Sequence, residues 1–164
     1  MTKKKIALVT GGSRGLGKDM AIALSRKGID VVLTYNTGKQ EAENVVAEIK
    51  NSGNKAIALQ FDVSKLPSFD GFLNQLKEVL KENWDTGHFD FLINNAGIGA
   101  SIPIAQLTED TFDDFMNIHF KGVYFLTQKS LPLMKDYGGV VFISSGEPVL
   151  MFRAIPCMLL VKVR

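Results

Sequence analysis

One short loop of the sequence concentrates glycine residues in a pattern suited to binding phosphate. The stretch TGGSRGLG (residues 10–17) follows a short apolar run and precedes a segment with helical periodicity. Glycine lets the backbone turn tightly and approach a pyrophosphate closely, while the first turn of the next helix offers unpaired N–H groups. The sequence therefore predicts a phosphate-binding loop; the alternative is a glycine-rich turn that binds no ligand.

Other polar residues that could bind or react follow later apolar runs. They are Asp62, the NNAG stretch at residues 94–97, and Ser144 with Ser145. In a parallel sheet, ligands bind beyond the carboxyl ends of the strands. If each of these runs is a strand of one parallel sheet, all the candidate residues gather at the same edge.

The chain alternates short apolar runs with amphipathic segments, which is the pattern of βαβ units. Strands are predicted at residues 5–10, 30–35, 55–61, 89–97 (with an exit loop) and 139–144, and helices at residues 15–27, 40–50, 69–81 and 108–135. Gly28 and Gly53 should end two helices, Thr108 should cap another, and Pro132 should kink or end the last. The expected fold class is α/β, a doubly wound parallel sheet.

Composition excludes several classes of function. The formal net charge is +2 with dispersed basic residues, which disfavours nucleic-acid binding. The one cysteine, Cys157, precludes an internal disulfide framework and fits a reducing cytosol. No signal peptide, membrane span or metal-ligand cluster is predicted, so a cytoplasmic protein without a metal is expected.

Four motifs in order carry a resemblance to a known family. They are T-G-x-x-x-G-x-G, NNAG, NIHFKGVYF (residues 117–125) and VVFISSG (residues 140–146). Together they resemble the short-chain dehydrogenase/reductase family, particularly 3-oxoacyl-carrier-protein reductases and sugar or steroid alcohol dehydrogenases. The resemblance covers about residues 5–146. It implies an NAD(P)-binding Rossmann fold, hydride transfer between a nicotinamide cofactor and a carbonyl or secondary alcohol, and a homo-oligomer.

The resemblance also assigns roles to individual residues. The pyrophosphate and adenosine ribose would be wrapped by Gly11, Ser13, Arg14, Gly15, Leu16 and Gly17. Asp62 and Val63 would hold the adenine, and Asn94, Ala96 and Gly97 would line the pocket near the ribose. Asn117 would hold a water in a proton relay, and Ser145 would hydrogen-bond the substrate oxygen.

Four polar residues also have purely structural alternatives. Asp62 is alternatively a turn residue, and Asn117 a helix-surface amide. His119, two residues after Asn117, is expected to be a packed or surface histidine, with an approach to the site as the alternative, and His88 is expected to be exposed.

The cofactor preference is predicted from the end of the second strand. An acid there selects NAD by accepting the ribose hydroxyls, whereas a basic residue favours the 2′-phosphate of NADP. The stretch LTYNTGK, which contains Asn36, has no acid, and Arg14 in the glycine loop can reach the phosphate. NADP(H) is therefore predicted over NAD(H).

The family's proton donor is missing from the written sequence. By resemblance, a tyrosine in Y-x-x-x-K should follow Ser145 by about thirteen residues, with a lysine that lowers its pKa. Met158 occupies the tyrosine position, and Lys162 stands four residues later. A thioether has no proton to give, so this chain is expected not to catalyse efficient carbonyl reduction.

The last residues, EPVLMFRAIPCMLLVKVR (residues 147–164), follow no helical or strand pattern. Read one base out of frame with permitted codons, they yield Y-A-A-S-K with its tyrosine at position 158. We therefore predict a dinucleotide-binding domain at residues 1–146 and an out-of-frame tail at residues 147–164. The alternatives are a non-catalytic dinucleotide-binding module and a defective fragment; a membrane anchor is disfavoured.

Overall fold

The computed structural model describes residues 4–100 and 102–143, which form a parallel β-sheet with helices on both faces. Its strands are β1 Ile6–Val9, β2 Asp30–Tyr35, β3 Ala56–Gln60, β4 Phe89–Asn94 and β5 Met134–Phe142. Their order is β3-β2-β1-β4-β5, and every neighbouring pair is parallel. The prediction of a doubly wound parallel sheet is confirmed.

Helices connect the strands and cover two separate cores. They are α1 Gly15–Arg26, α2 Lys39–Asn51, α3 Phe69–Trp84, α4 Glu109–Met116 and α5 Val123–Ser130. Strand alternation divides β1 between the faces: Ile6 and Leu8 pack with α3 and α5, while Ala7 and Val9 pack with α1 and α2. This burial on both faces explains why the strands are continuous apolar runs.

Three predicted helix boundaries agree with the structure. The Thr108 side chain accepts a hydrogen bond from the Thr111 backbone N–H and caps α4. Gly28 and Gly53 follow the ends of α1 and α2 with φ of 79° and 85°, conformations that glycine adopts without strain.

The predicted helix at residues 108–135 is wrong in its course and its end. A π-helical segment, Asn117–Gly122, separates α4 from α5, and a 3₁₀ turn, Leu131–Leu133, follows α5. Pro132 cannot continue the helix because it lacks an N–H. The strand β5 then starts at Met134, which pairs with Phe89, five residues before the predicted strand.

Two carboxylates tie the amino ends of the strands together, and we call this group the amino-edge cluster. Asp30, only 2% exposed, accepts hydrogen bonds from Trp84 Nε1 at 2.7 Å and from the Lys55 N–H at 2.8 Å. Asp90 accepts one from the Ile6 N–H at 2.8 Å and pairs with Lys135 Nζ at 3.0 Å. Paired in this way, the carboxylates link β1, β2 and β4 to neighbouring elements.

Among the helices in the described ranges, none is both long and apolar enough to cross a membrane.

Candidate functional site

A groove opens at the carboxyl ends of the strands, on the side opposite the amino-edge cluster. Its volume is about 380 Å³. Four loops line it: the glycine loop after β1, the turn between β2 and α2, the segment after β3, and the segment after β4. Of the residues predicted to bind a cofactor, those on the groove are Gly11, Ser13, Arg14, Leu16, Gly17, Asn36, Asp62, Val63, Ala96 and Gly97.

The glycine loop is shaped by backbone contacts that a side chain would prevent. Gly11 has a φ of 64°, and its N–H donates to Thr34 Oγ1 at 3.3 Å. A Cβ at Gly17 would lie 2.2 Å from the Gly11 carbonyl oxygen and 2.4 Å from Asn95 Nδ2. Only glycine at position 17 lets the start of α1 approach the loop this closely. The loop backbone therefore faces the groove with no side chain in the way.

Thr10 and Asn95 lock the glycine loop to the segment after β4. Thr10 Oγ1 accepts hydrogen bonds from the Asn95 N–H at 2.9 Å and the Ala96 N–H at 3.0 Å. The Asn95 amide donates in return to the carbonyl oxygens of Thr10 at 2.9 Å and Gly11 at 3.2 Å. The two loops therefore form one rigid wall of the groove.

The predicted position of Asn94 on the groove is wrong. Its side chain is buried and donates to Thr127 Oγ1 on α5 at 3.1 Å. Successive residues of a strand point to opposite sides, so the neighbouring Asn95 reaches the groove instead.

The start of α1 presents unpaired donors and a cation to the groove. Arg14 precedes α1 in an extended conformation, and no side chain caps the helix. The first N–H groups of α1 are therefore left for a ligand. Gly15 begins the helix with a φ of 53°, and Leu16 is 56% exposed although it is large and apolar.

The start of α2, after the turn that follows β2, contains an acid that the sequence-based prediction did not include. Asn36, Thr37 and Gly38 lead into α2, and Glu41 in its first turn also lines the groove. A Cβ at Gly38 would lie 3.1 Å from Glu41 Oε2 and 3.5 Å from Ser13 Oγ, so these two side chains flank Gly38. The cofactor prediction depended on residues at the end of β2, and Glu41 lies beyond that end, in the first turn of α2.

Asp62 forms a turn after β3 and keeps one face toward the groove. Its Oδ1 accepts hydrogen bonds from the Ser64 N–H at 2.9 Å and the Ser64 hydroxyl at 2.7 Å, and Lys65 Nζ lies 3.7 Å from Oδ2. Partial burial raises the pKa of Asp62, but the Ser64 hydrogen bonds and the Lys65 charge outweigh it and lower the pKa below its usual value. The carboxylate is thus ionised and able to accept.

Asn117 does not reach the groove, whereas His119 is a packed histidine, as predicted. Among the described residues, Asn117 lines a shallow apolar depression of about 330 Å³ on the outer side of α4 and α5, and not the groove. The π-helical segment turns Ile118 toward the groove and brings His119 against the segment after β4. His119 Nε2 lies 2.8 Å from the Ile98 carbonyl oxygen.

Of the remaining predicted residues, Gly15 is not among those that line the groove, and three lie outside the described part. Ser145, Met158 and Lys162 are among the residues that the structure does not describe. His88 is exposed, as expected. Within residues 4–100 and 102–143, no group of three His, Cys, Asp or Glu side chains is arranged to hold a metal ion.

Comparison with known proteins places this geometry in a family. Residues 5–154 match the family model described as short chain dehydrogenase. The hydroxynaphthalene reductase-like protein Arp2 of Metarhizium brunneum is 33% identical over 86% of this chain and 51% of its own length. Versicolorin reductase stcU of Emericella nidulans is 33% identical over 87% of this chain and 52% of its own length.

Solved structures agree with the sequence comparisons. The landomycin C-6 ketoreductase LanV, with bound NADP and rabelomycin, superimposes with a TM-score of 0.84 at 34% identity, covering 87% of this chain and 58% of that one. A blue fluorescent protein from a metagenomic library, in complex with NADPH, superimposes with a TM-score of 0.76 at 31% identity, covering 87% and 56% of the two chains. The chain spans about half the length of the curated relatives it matches.

Proposed function

Because the chain belongs to the short-chain dehydrogenase family, we propose that residues 1–146 form a dinucleotide-binding domain whose groove binds NADPH. The observation that carries this proposal is the close approach of Gly17 to Gly11, which clears the backbone at the uncapped start of α1. A pyrophosphate suits this arrangement because backbone N–H groups and the helix dipole both favour an anion.

The proposed orientation follows from the two ends of the groove. Ser145, the proposed substrate-binding residue, would follow β5, which lies beside β4 in the sheet. The reacting nicotinamide would then lie at the β4 end, and the adenine at the opposite end near Asp62 and Val63. Asn95 takes the place of Asn94 beside Ala96 and Gly97 in this assignment.

The 2′-phosphate of NADPH would bind near Arg14, with Asn36 at the neighbouring strand end. Both residues line the groove, and no ion pair in the described ranges engages the Arg14 guanidinium. A guanidinium forms charge-assisted hydrogen bonds with phosphate. The NADP and NADPH complexes among the similar structures support this preference.

The proposed reaction of the parent enzyme is reduction of a carbonyl to a secondary alcohol, or its reverse. NADPH would supply the hydride, and Ser145 would hydrogen-bond the substrate oxygen. The developing alkoxide also needs a proton donor, and Met158 stands at the expected tyrosine position. Because no tyrosine stands at this position for Lys162 to assist, we propose that this chain binds the cofactor but reduces carbonyls poorly.

Titration with NADPH and NADH tests the cofactor proposal. Arg14→Gln should weaken NADPH binding about tenfold, the effect of losing a charge-assisted phosphate contact, and leave NADH binding nearly unchanged. Arg26→Gln, in the last turn of α1, is the control because Arg26 does not line the groove. If the wild-type chain binds neither nucleotide, the proposal fails.

The tail at residues 147–164 is proposed to be out of frame. Sequencing the gene across codons 140–170 tests this directly: a shifted frame must encode Y-x-x-x-K with its tyrosine at position 158. Restoring that frame should restore carbonyl reduction. A restored frame that binds NADPH without activity would instead favour the alternative, a non-catalytic dinucleotide-binding module.

A homo-oligomer of the parent protein is proposed from an exposed apolar stripe. The side chains of Phe112, Met116, Phe120 and Tyr124 recur every four residues from α4 into α5 and are exposed. A second subunit could bury this stripe. Sedimentation of the frame-restored protein tests it, with Phe120→Asp expected to yield monomers.

A further inference from the structure

We propose that His119 is a positioning residue that fixes the segment Gly97–Ile98 at the β4 end of the groove. This inference rests on the proposed binding of NADPH in that groove. This role differs from the one that the resemblance implies for the nearby Asn117, which is to hold a water in a proton relay. The histidine acts on the groove through the backbone of its neighbours.

The contacts of His119 are concentrated on one short piece of backbone. Its Nε2 lies 2.8 Å from the Ile98 carbonyl oxygen and 3.2 Å from the Ile98 nitrogen. A Cβ at Gly97 would lie 2.7 Å from His119 Cε1, so the ring packs directly on the Gly97 backbone. Only glycine permits this contact, and Gly97 and Ile98 both line the groove.

The tautomer of His119 determines which hydrogen bond forms. A ring with its proton on Nε2 donates to the Ile98 carbonyl, whereas a ring with its proton on Nδ1 accepts from the Ile98 N–H. One nitrogen cannot do both at once. Either tautomer links Ile98 to the π-helical segment, so Gly97–Ile98 is held in both protonation patterns of the neutral ring.

The π-helical segment supports His119 from a second direction. A Cβ at Gly122 would lie 2.2 Å from the Val63 carbonyl oxygen, so the end of this segment packs on the loop after β3. The His119 ring also stacks on Phe115, with centroids 5.6 Å apart. The π-helical segment therefore contacts both the loop after β3 and the segment after β4. Its wider turn, compared with an α-helix, directs His119 toward the segment after β4.

Loss of the His119 contact should weaken binding of the nicotinamide half of NADPH and leave binding of the adenosine half nearly unchanged. NADPH extends to the β4 end of the groove in the proposed orientation, whereas 2′,5′-ADP contains only the adenosine half. Removing one hydrogen bond that orders the Gly97–Ile98 segment should therefore affect NADPH more than 2′,5′-ADP.

The experiment compares both ligands by calorimetric titration of the whole chain. His119→Leu should raise the Kd of NADPH about fivefold, as expected for one hydrogen bond, and change that of 2′,5′-ADP less than about twofold. His119→Gln keeps an amide that can donate or accept near the Nε2 position and should restore NADPH binding. The exposed His88→Leu is the matched control.

A second measurement does not depend on any ligand. Hydrogen exchange at the Ile98 amide of the free protein should become faster in His119→Leu and return toward wild type in His119→Gln. The inference is overturned if His119→Leu leaves both NADPH binding and this exchange unchanged, or if it weakens both ligands equally without rescue by glutamine. If the wild-type chain binds neither ligand, the proposed function fails, and the exchange comparison alone decides whether His119 positions the segment.

Discussion

The two edges of the sheet use carboxylates in opposite ways. At the amino edge, the buried Asp30 accepts hydrogen bonds from Trp84 and Lys55. At the carboxyl edge, Asp62 has one oxygen occupied by Ser64, and Glu41 is exposed on the groove. One edge is saturated with protein partners, and the other leaves hydrogen-bonding capacity for a ligand.

The difference in hydrogen-bond pairing between the two edges distinguishes residues that stabilise the fold from residues that bind a ligand. Burying an unpaired polar group costs free energy, so a closed edge is stabilised by completing every bond. An open edge must instead be ordered by contacts among its own loops, such as Gly17 against Gly11 and the hydrogen bonds between Thr10 and Asn95. Substitutions at the amino edge should therefore change the free energy of unfolding, and substitutions at the carboxyl edge should change ligand affinity.

The largest expected effect lies at the amino edge. Asp30→Ala leaves the Trp84 and Lys55 N–H groups without their acceptor, so the free energy of unfolding should fall by about 2–4 kcal/mol. Urea denaturation followed by tryptophan fluorescence measures it. Asp19→Ala, at an exposed position of α1, should change stability little. Comparable loss in both variants would contradict the proposed importance of the amino-edge cluster.

At the carboxyl edge, the largest expected effect is on ligand binding. Gly17→Ala places a Cβ against the Gly11 carbonyl, so the loop must shift and the affinity for NADPH should fall by more than about tenfold. Titration of the folded variant measures this. Gly71→Ala in α3 has open space and should stabilise the chain by about 0.5–1 kcal/mol with unchanged affinity. Equal NADPH affinities in the two variants would show that the glycine loop does not form the site.

Glu41 should produce a smaller effect of the opposite sign. Its carboxylate repels a nearby 2′-phosphate, so Glu41→Gln should raise NADPH affinity about threefold at low salt and leave NADH affinity nearly unchanged. Glu43→Gln on the same helix, which does not line the groove, is the control. A gain that is equal for both nucleotides would place the 2′-phosphate elsewhere.

The smallest expected effect concerns acid stability. The folded-state pKa of Asp62 is lowered, so its charged form contributes stability above the unfolded pKa of about 3.9, and this contribution disappears as pH falls through the lower folded value. The Asp62 side chain is 23% exposed and faces the groove, so solvent screening should limit the cost of Asp62→Asn to about 0.5 kcal/mol at pH 7. The wild-type and variant stabilities should begin to converge near pH 4 and coincide only below the lower folded pKa of Asp62; a constant difference would assign the effect to the turn geometry alone.

The sequence predicted the parts of the fold that depend on neighbouring residues. Thr108 and Gly28 act within one helical turn, so their roles were visible in the local pattern. The start of β5 was missed because Met134 joins the sheet through Phe89, and Lys135 pairs with Asp90, both distant in the chain. The π-helical segment likewise depends on Gly122 packing on Val63.

The candidate site shows the same limit. The positions of the glycine loop and Asp62 could be predicted because each follows its strand within a few residues of the chain. Asn94 and Asn95 are chemically identical, and only the register of β4 decides which one reaches the groove. His119 gave no local signal, since its partner Ile98 lies twenty-one residues earlier.

The strand order has a consequence for folding during synthesis. The strands β1, β2 and β3 pair with near neighbours along the chain, but the other side of β1 waits for Phe91 and Ile93 of β4. Until then the Thr10 side chain lacks Ile93, Asn95 and Ala96, so the glycine loop is held by its β2 contacts alone and lacks the second wall of the groove. A nascent chain should therefore acquire nucleotide affinity only after β4 has left the ribosome, well after its first three strands can pair.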